Sequence, residues 1–487
     1  MNITLTQLQQ WLPQAAVANQ ASTDAQTRSV VIQAIRTDSR NVVAGDLFVA
    51  LKGDNFDGAA FLLQAQTQGA VAVLFEADDL TQPEVLKHLH GVTIPAFAVP
   101  NARQALGELA TQWRRQFDVS LIGVTGSNGK TTVTQMIATI LRADDAQPSL
   151  STQGNLNNEI GVPLTLFNLR PQHRRAVIEL GMNHPGEIEV LARYAQPTVG
   201  LVNNAQREHQ EFMATVEAVA QENGEVIRAL PASGVAVFPA ADAYSNLWKA
   251  LAGQRKVMTF GFESGDVQAH QLAWTGGAWK FNLVTASQTL PCHLHIAGRH
   301  NVLNALAATA CALAAGMHLE DIVKGLESFE PVKGRSKACE WQLADHSFTL
   351  IDDTYNANPD SVRAAIDVLA ELPGPRLLVL GDMGEVGQQG PEFHAEVGAY
   401  AKTRGIQTLF TLGDLCAHSS QAFTGATHFE SMTTLQEAVL SQMPHYKSVV
   451  VKGSRFMKME RVVESLRAVT QVVQAPKANE SEVAHAA

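Results

Sequence analysis

The chain has 487 residues, 46% of them hydrophobic and 17% charged, with a formal charge of −11. That length is too great for one hydrophobic core and predicts roughly three folding units of ordinary soluble composition. The negative balance excludes a general nucleic-acid or anionic-membrane binder, because counterion release needs clustered Lys and Arg, so any anionic ligand must meet a local positive site.

The N-terminal MNITLTQLQQWLPQ lacks a basic start followed by an apolar stretch, and reads as an amphipathic helix rather than a signal peptide. Short apolar runs, Leu47 to Leu51, Ala70 to Phe75 and Ile94 to Val99, predict a small α/β unit that ends near Pro100 and Asn101. From Val119 to Val124 an apolar strand leads into GSNGKTT, after which Val133, Met136, Ile137, Ile140 and Leu141 fall at helical spacing. Two more apolar strands, Ala176 to Ile178 and Val199 to Val202, end in polar residues, as a doubly wound parallel sheet requires. Its C-terminal edge is the expected site. The longest apolar stretch, Leu303 to Ala315, is broken by Asn304 and Thr309 and is too short for a bilayer of about 30 Å. After Phe329 the pattern restarts, with strands near Phe348 to Ile351, Leu377 to Leu380, Thr408 to Leu412 and Val449 to Val451, which predicts a second Rossmann-like unit.

The expected class is α/β, with domains over residues 1–100, 101–329 and 330–472 and a disordered tail over 473–487, where apolar surface is too sparse to offset ordering entropy. Cys292, Cys311, Cys339 and Cys416 are scattered, which fits free thiols in a reducing compartment and a cytoplasmic location.

The chemistry centres on the loop Gly126, Ser127, Asn128, Gly129, Lys130, Thr131 and Thr132. A phosphate chain needs convergent N–H donors, and the two glycines let the main chain approach it just before a helix N-terminus. Lys130 supplies a cation and Thr131 a hydroxyl for Mg²⁺. Val124 stands where the standard phosphate-loop pattern has its first glycine, so the loop is a variant. Glu179 ends the strand AVIEL and His209 follows VNNAQRE, which makes both candidates for holding metal at the same sheet edge; a solvated glutamate or a structural histidine is the plain alternative for either one alone. Asn301 and Asn304 lie three apart at a helix start, facing a ligand or capping the helix. Arg335 follows the expected interdomain linker and serves either the phosphates or a surface ion pair.

Nine ordered motifs carry a family resemblance: TDSR at Thr37, GDLFVALKG at Gly45, GSNGKTT at Gly126, GNLNNEIGVPLTL at Gly154, IELGM at Ile178, GRHNVLNALAA at Gly298, DDTYNANPDS at Asp352, LGDMGEVG at Leu380 and VKGSR at Val451. In these the chain resembles the Mur ligases of peptidoglycan synthesis over nearly its whole length, and lies nearest the branch that adds a dipeptide. The resemblance implies an N-terminal UDP-sugar domain, a central phosphate-loop ATPase domain and a C-terminal Rossmann-like domain that admits the incoming amine. It implies ATP as co-substrate, Mg²⁺, the partners UDP-N-acetylmuramoyl-tripeptide and D-alanyl-D-alanine, and a monomer working in the bacterial cytoplasm.

Carried over by motif, Ser39 and Arg40 would lie near the UDP-sugar, and Thr152, Asn155, Asn157 and Asn158 along its path to ATP. Thr131 and Glu179 would hold a first Mg²⁺ and His209 a second. Asn301, Asn304 and Asp353 would face adenine and ribose, and Arg335 the transferring phosphate. Tyr355, Asn356 and Asn358 would border the nucleotide and dipeptide cleft, with Lys452 and Ser454 beside them. The sequence departs from relatives at Asn223, where several carry a carbamylated lysine, and at Ala59 and Ala60, where many read DGHDF. His209 with water, or Glu225, is expected to take over that lysine's part. The rival readings are a sibling ligase for another amino acid, a folate polyglutamate ligase, a nucleotide-hydrolysing switch, and a UDP-sugar binder with a degenerate ATP site.

Overall fold

The apolar runs read as strands are strands: Asp46–Ala50, Ala72–Glu76 and Ala96–Val99, then Ser120–Thr125, Arg175–Glu179 and Val199–Val202, then His346–Asp353, Arg376–Gly381, Thr408–Leu412 and Ser448–Lys452. The N-terminal amphipathic helix is Leu5–Trp11, begun by a reciprocal cap in which Gln7 N donates to Thr4 Oγ1 at 3.2 Å and Thr4 N donates to Gln7 Oε1 at 2.9 Å. The computed structural model describes residues 1–22, 29–144, 148–275 and 277–472, so the expected disordered tail, 473–487, lies outside the described residues. The described chain forms two compact units: residues 1–205, 220–268 and 307–325 make the first, and residues 206–219, 269–306 and the chain from Leu326 onward make the second.

In the first unit a five-stranded sheet runs in the order Ala16–Val17, Ala96–Val99, Ala72–Glu76, Asp46–Ala50, Ala34–Arg36, with only the first pairing antiparallel. A separate parallel series runs Ser149–Ser151, Arg175–Glu179, Ser120–Thr125, Val199–Val202, Val235–Pro239, Lys256–Gly261. Chain order reverses about Ser120–Thr125, because the next two strands stack to one side of it and the later ones to the other. A crevice opens beyond the carboxyl end of such a strand. Register brings Glu179 opposite Val124 and Val202 opposite Thr125, so three strand ends reach one edge. The helix Lys130–Ala143 buries Val133, Met136, Ile137, Ile140 and Leu141, the stripe its spacing predicted. Each such side chain contributes about 1.5–3 kcal/mol on full burial, enough to hold the helix N-terminus in place.

The second unit contains a seven-stranded sheet in the order Thr427–Phe429, Thr408–Leu412, Arg376–Gly381, Ser448–Lys452, His346–Asp353, Lys337–Leu343, Gln471–Val472. Its first four pairings are parallel and its last two antiparallel. One apolar layer gathers Val362, Ile366 and Leu369 with Val397 and Ala401, and another gathers Leu435 and Val439 with Val462, Val463 and Leu466. The helices Gly390–Thr403 and Cys416–Phe423 meet at Gly398, where a Cβ would stand 2.2 Å from the Ser419 carbonyl oxygen. The segment 206–219 is tied in by Arg207, which pairs with Asp360 and Glu396 at 2.6 Å each, while Arg363 pairs with Glu396 at 2.7 Å. The antiparallel hairpin Ala278–Thr285 and Thr289–Leu294 also belongs here. No helix among the described residues is long and apolar enough to cross a membrane.

Candidate active site

Beyond Thr125 the chain turns at Gly126, whose φ is +130° and whose absent Cβ would fall 2.9 Å from Asn203 Cβ. Only glycine fits there. Gly129, at φ +81°, opens the helix Lys130–Ala143, whose N-terminus, with its main-chain N–H groups and dipole, favours an anion. Asn128 is fixed from behind: its N–H donates to Asn204 Oδ1 at 2.8 Å, and its carbonyl accepts from Asn203 Nδ2 at 2.8 Å and Asn204 Nδ2 at 2.9 Å. Lys130 Nζ folds over the loop onto the carbonyls of Gly126 and Ser127. Such contacts place a cation where phosphate oxygens would compete for it.

Glu179 is 2% exposed. Its Oε1 accepts from Thr131 Oγ1 at 3.1 Å and from Asn157 Nδ2 at 2.8 Å, and its own N–H donates to Thr152 Oγ1 at 2.9 Å. Oε2 is buried with no hydrogen-bond partner among the described residues. A buried carboxylate left half unsatisfied is costly unless something else meets it. The oxygen set, a hydroxyl and a carboxylate beside a phosphate loop, suits a hard divalent cation such as Mg²⁺, so the residues present fit the metal. Thr131, Asn157 and Glu179, read from three separate motifs, thus come together with Thr152, which lies just ahead of the second of them.

Asn223, where the sequence departs from relatives, lies on the other side of the loop and is 1% exposed. Its Oδ1 accepts from Gly126 N at 2.9 Å, its carbonyl accepts from Thr125 Oγ1 at 3.0 Å, and its Nδ2 is buried without a partner among the described residues. Glu225 is taken up by Arg228 at 3.0 Å. Asn155 and Asn158 are exposed, and Asn158 Oδ1 accepts from Gly161 N at 2.9 Å at the start of the helix Gly161–Leu166. Farther along the unit, buried Ser39 donates to Gln64 Oε1 at 3.3 Å. Exposed Arg40 clasps Asp38 at 2.7 and 2.9 Å, and that hydrogen-bonded pairing holds the Asp38 carboxyl at about 2.

The remaining candidates fall in the second unit. His209, at φ +49°, sets Nδ1 against the Glu385 carboxylate, and Glu385 is itself at φ +58°. Two non-glycine residues in left-handed conformations facing each other are a strained pair of the kind found at functional sites. Buried Asn301 and Asn304 bond to each other, Nδ2 of Asn304 to Oδ1 of Asn301 at 2.9 Å, beside His300, whose pKa burial lowers. Asp353 accepts from Lys452 Nζ at 2.6 Å and from Ser336 N at 3.1 Å, and Lys452 also donates to the Asn356 carbonyl at 2.9 Å. Arg335 stacks on Tyr355 with its guanidinium 4.0 Å from the ring centre. Asn358 caps the helix Pro359–Glu371 with Ser361, and Ser454 Oγ bridges Gly384 N and the Ala357 carbonyl at 2.7 and 3.1 Å. Asp382, His394 and Cys416 also converge, but the carboxylate accepts from Cys416 N and Leu415 N and the His394 Nε2 lone pair accepts from Met383 N, which leaves a structural knot rather than a metal site.

Sequence reasoning passed over Asn203 and Asn204, the props behind Asn128, and Glu385, the partner of His209. For the asparagines a signal existed, two amides directly after an apolar strand at the switch point; Glu385 lies within the motif LGDMGEVG, but nothing in that string pairs it with the distant His209.

A switch-point loop with a lysine, a helix-start threonine and a buried strand-end carboxylate defines an ATP-using phosphoryl-transfer enzyme. Comparison with known proteins narrows this. The Mur ligase family catalytic domain matches residues 31–114, the Mur ligase middle domain 124–312, and the Mur ligase glutamate ligase domain 339–455. The UDP-N-acetylmuramoyl-tripeptide--D-alanyl-D-alanine ligase of Haemophilus influenzae is 38% identical over 447 residues, 90% of this chain and 94% of that protein. The ligase of the same name from Escherichia coli is 38% identical over 446 residues, covering 91% and 95%. Among solved structures, MurF from Acinetobacter baumannii superposes with a TM-score of 0.85 at 34% identity over 96% of this chain and 99% of that one. MurF from Thermotoga maritima in complex with ADP gives 0.77 at 25% identity over 89% and 97%. The chain belongs to the Mur ligase family, with the family's three α/β domains.

Proposed function

We propose that this chain is an ATP-dependent peptide ligase that joins D-alanyl-D-alanine to UDP-N-acetylmuramoyl-tripeptide, giving the UDP-N-acetylmuramoyl-pentapeptide, ADP and phosphate. The observation that carries the reading is Glu179, buried, bonded to the loop's Thr131 and left with one oxygen open, in a chain more than a third identical to ligases of that name. The tripeptide's terminal carboxylate attacks the γ-phosphate to give an acyl phosphate, and the amine of the dipeptide then displaces phosphate at the activated carbonyl.

In this reading the N–H groups of Gly129 to Thr132 cradle the phosphate chain and Lys130 leaves its loop carbonyls for the phosphate oxygens. Thr131 and Glu179 would hold one Mg²⁺ and His209, its ring set by Glu385, a second. Magnesium, when bound, lowers the charge on the transferring phosphoryl group. Asn301, Asn304 and Asp353 serve adenine and ribose, Arg335 the phosphates, Ser39, Arg40, Thr152, Asn155, Asn157 and Asn158 the UDP-linked substrate, and Tyr355, Asn356 and Asn358 the dipeptide side. Domains over residues 1–100, 101–329 and 330–472 divide these tasks, and the enzyme works as a cytoplasmic monomer without nucleic acid or membrane insertion.

The test is phosphate release with the UDP-muramoyl peptide, D-alanyl-D-alanine and single amino acids, each omitted in turn. Release that needs both the peptide and the dipeptide supports the reading, and Lys130→Ala abolishes it. Release that ignores both acceptors sinks it in favour of a nucleotide hydrolase.

A further inference from the structure

The helix Val216–Asn223 ends against the phosphate-binding loop, and its last turn is fastened at several points. The Ala220 carbonyl accepts from buried Trp248 Nε1 at 2.9 Å, and the Glu222 carboxylate accepts from Gly186 N at 2.9 Å and Ile188 N at 2.8 Å. The Asn223 carbonyl accepts from Thr125 Oγ1 at 3.0 Å. So fastened, the Asn223 amide has little freedom to turn. Its Oδ1 sits 2.9 Å from Gly126 N, which satisfies the first N–H of the loop and fixes the strained glycine. Its Nδ2, 1% residue exposure notwithstanding, has no acceptor among the described residues. Fixing Gly126 needs only an acceptor, and a carboxamide brings a pair of N–H donors as well. Buried donors left unmet are destabilising, and such exceptions call for a ligand or water. The adjoining loop is shaped for an anion rich in acceptor oxygens.

We propose that Asn223 belongs to the nucleotide site: Oδ1 fixes Gly126, and Nδ2 donates to an oxygen of the terminal phosphate of ATP. As a neutral donor it adds a hydrogen bond to the phosphoryl group without adding a second buried cation beside Lys130. This rests on the ATP-dependent reading above and extends it to a residue outside the loop motif.

Asn223→Asp retains the acceptor for Gly126 and deletes the donor, and Asn223→Ala deletes both. Calorimetric titration of each full-length variant with Mg·ATP and with Mg·ADP separates the roles. At about pH 8, Asn223→Asp buries a carboxylate and melts below wild type, loses roughly ten- to hundredfold in ATP affinity, and loses less for ADP. As pH falls and the buried carboxyl protonates, it regains a donor of the same shape, and the gap to wild type measured at the same pH closes. Asn223→Ala loses stability and affinity together and recovers nothing at low pH. Should Asn223→Asp fail to fold, Asn223→Ser, with a smaller donor and acceptor, is to bind ATP more tightly than Asn223→Ala. An Asn223→Asp enzyme that binds ATP within about twofold of wild type, an equal loss for ATP and ADP without recovery at low pH, or Ser no better than Ala overturns the proposal. Wild-type enzyme that gives no heat with Mg·ATP overturns the nucleotide reading as well.

Discussion

Replacing Glu179 with Gln separates what this carboxylate does for the fold from what it does for nucleotide. Oε1 accepts from Thr131 and Asn157, and Oε2 meets no partner among the described residues. A glutamine of the same shape keeps its oxygen toward Thr131 and Asn157 and puts its amide nitrogen where Oε2 stands. Folding then loses no hydrogen bond and is relieved of a buried charge, whose desolvation costs several kcal/mol and outweighs the smaller cost of the amide N–H pair left unmet there. At about 2 °C per kcal/mol for a chain of this size, the ligand-free variant melts a few degrees above wild type. Turnover moves the other way. One pair of unit charges about 4 Å apart at an effective dielectric near 20 is worth about 4 kcal/mol, which is roughly a thousandfold in rate. Scanning calorimetry with and without Mg·ADP reads the first effect, and phosphate release with both acceptors reads the second. Turnover within about tenfold of wild type would refute the reasoning. So would a ligand-free midpoint well below wild type, because the carboxylate would then belong to the fold alone.

Gly126→Ala forces a Cβ to within 2.9 Å of Asn203 at a φ of +130°; the melting midpoint falls by only a few degrees while ATP affinity, read by calorimetric titration, drops at least about tenfold. Gly398→Ala meets the Ser419 carbonyl at 2.2 Å, main chain that has no room to move aside, and costs about 3 kcal/mol in urea unfolding of the second unit. Arg207→Ala leaves Asp360 and Glu396 without their shared cation and costs about 1–2 kcal/mol after solvent screening. The pH dependence follows from Glu396, whose carboxyl is held below the usual range first by its hydrogen bonds to Arg207, then by those to Arg363, against an opposing push from burial. The unfolded chain therefore binds that proton at higher pH than the folded one. Its stabilisation is full above the carboxylate range and drains away as pH falls through it. Urea midpoints measured against pH flatten in Arg207→Ala over that acid window.

Much of this was legible in the chain because parallel sheets bury both faces of their strands. Such strands read as unbroken apolar runs, and Ser120–Thr125, Arg175–Glu179 and Val199–Val202 all surfaced that way. The loop was legible because its glycines, Lys130 and Thr131 are contiguous. By contrast, Val267–Thr275 and Ala278–Thr285 alternate buried and open positions around His270, Gln271 and Lys280, and their half-polar pattern does not stand out. Asn203 and Asn204 stand out in the sequence only as two amides after an apolar strand, and their contacts with Asn128 depend on distant strands aligning. The pairing of His209 with Glu385 and of Asp353 with Lys452 likewise depends on chain segments that nothing local connects.

Neither compact unit is one uninterrupted stretch of chain: the first is completed only by residues 307–325, and the second borrows 206–219 and 269–306 from amid the first. A nascent polypeptide leaving the ribosome therefore cannot finish the ATP-loop unit until well past its midpoint, and cutting the gene at any single position leaves at most one of the two units whole.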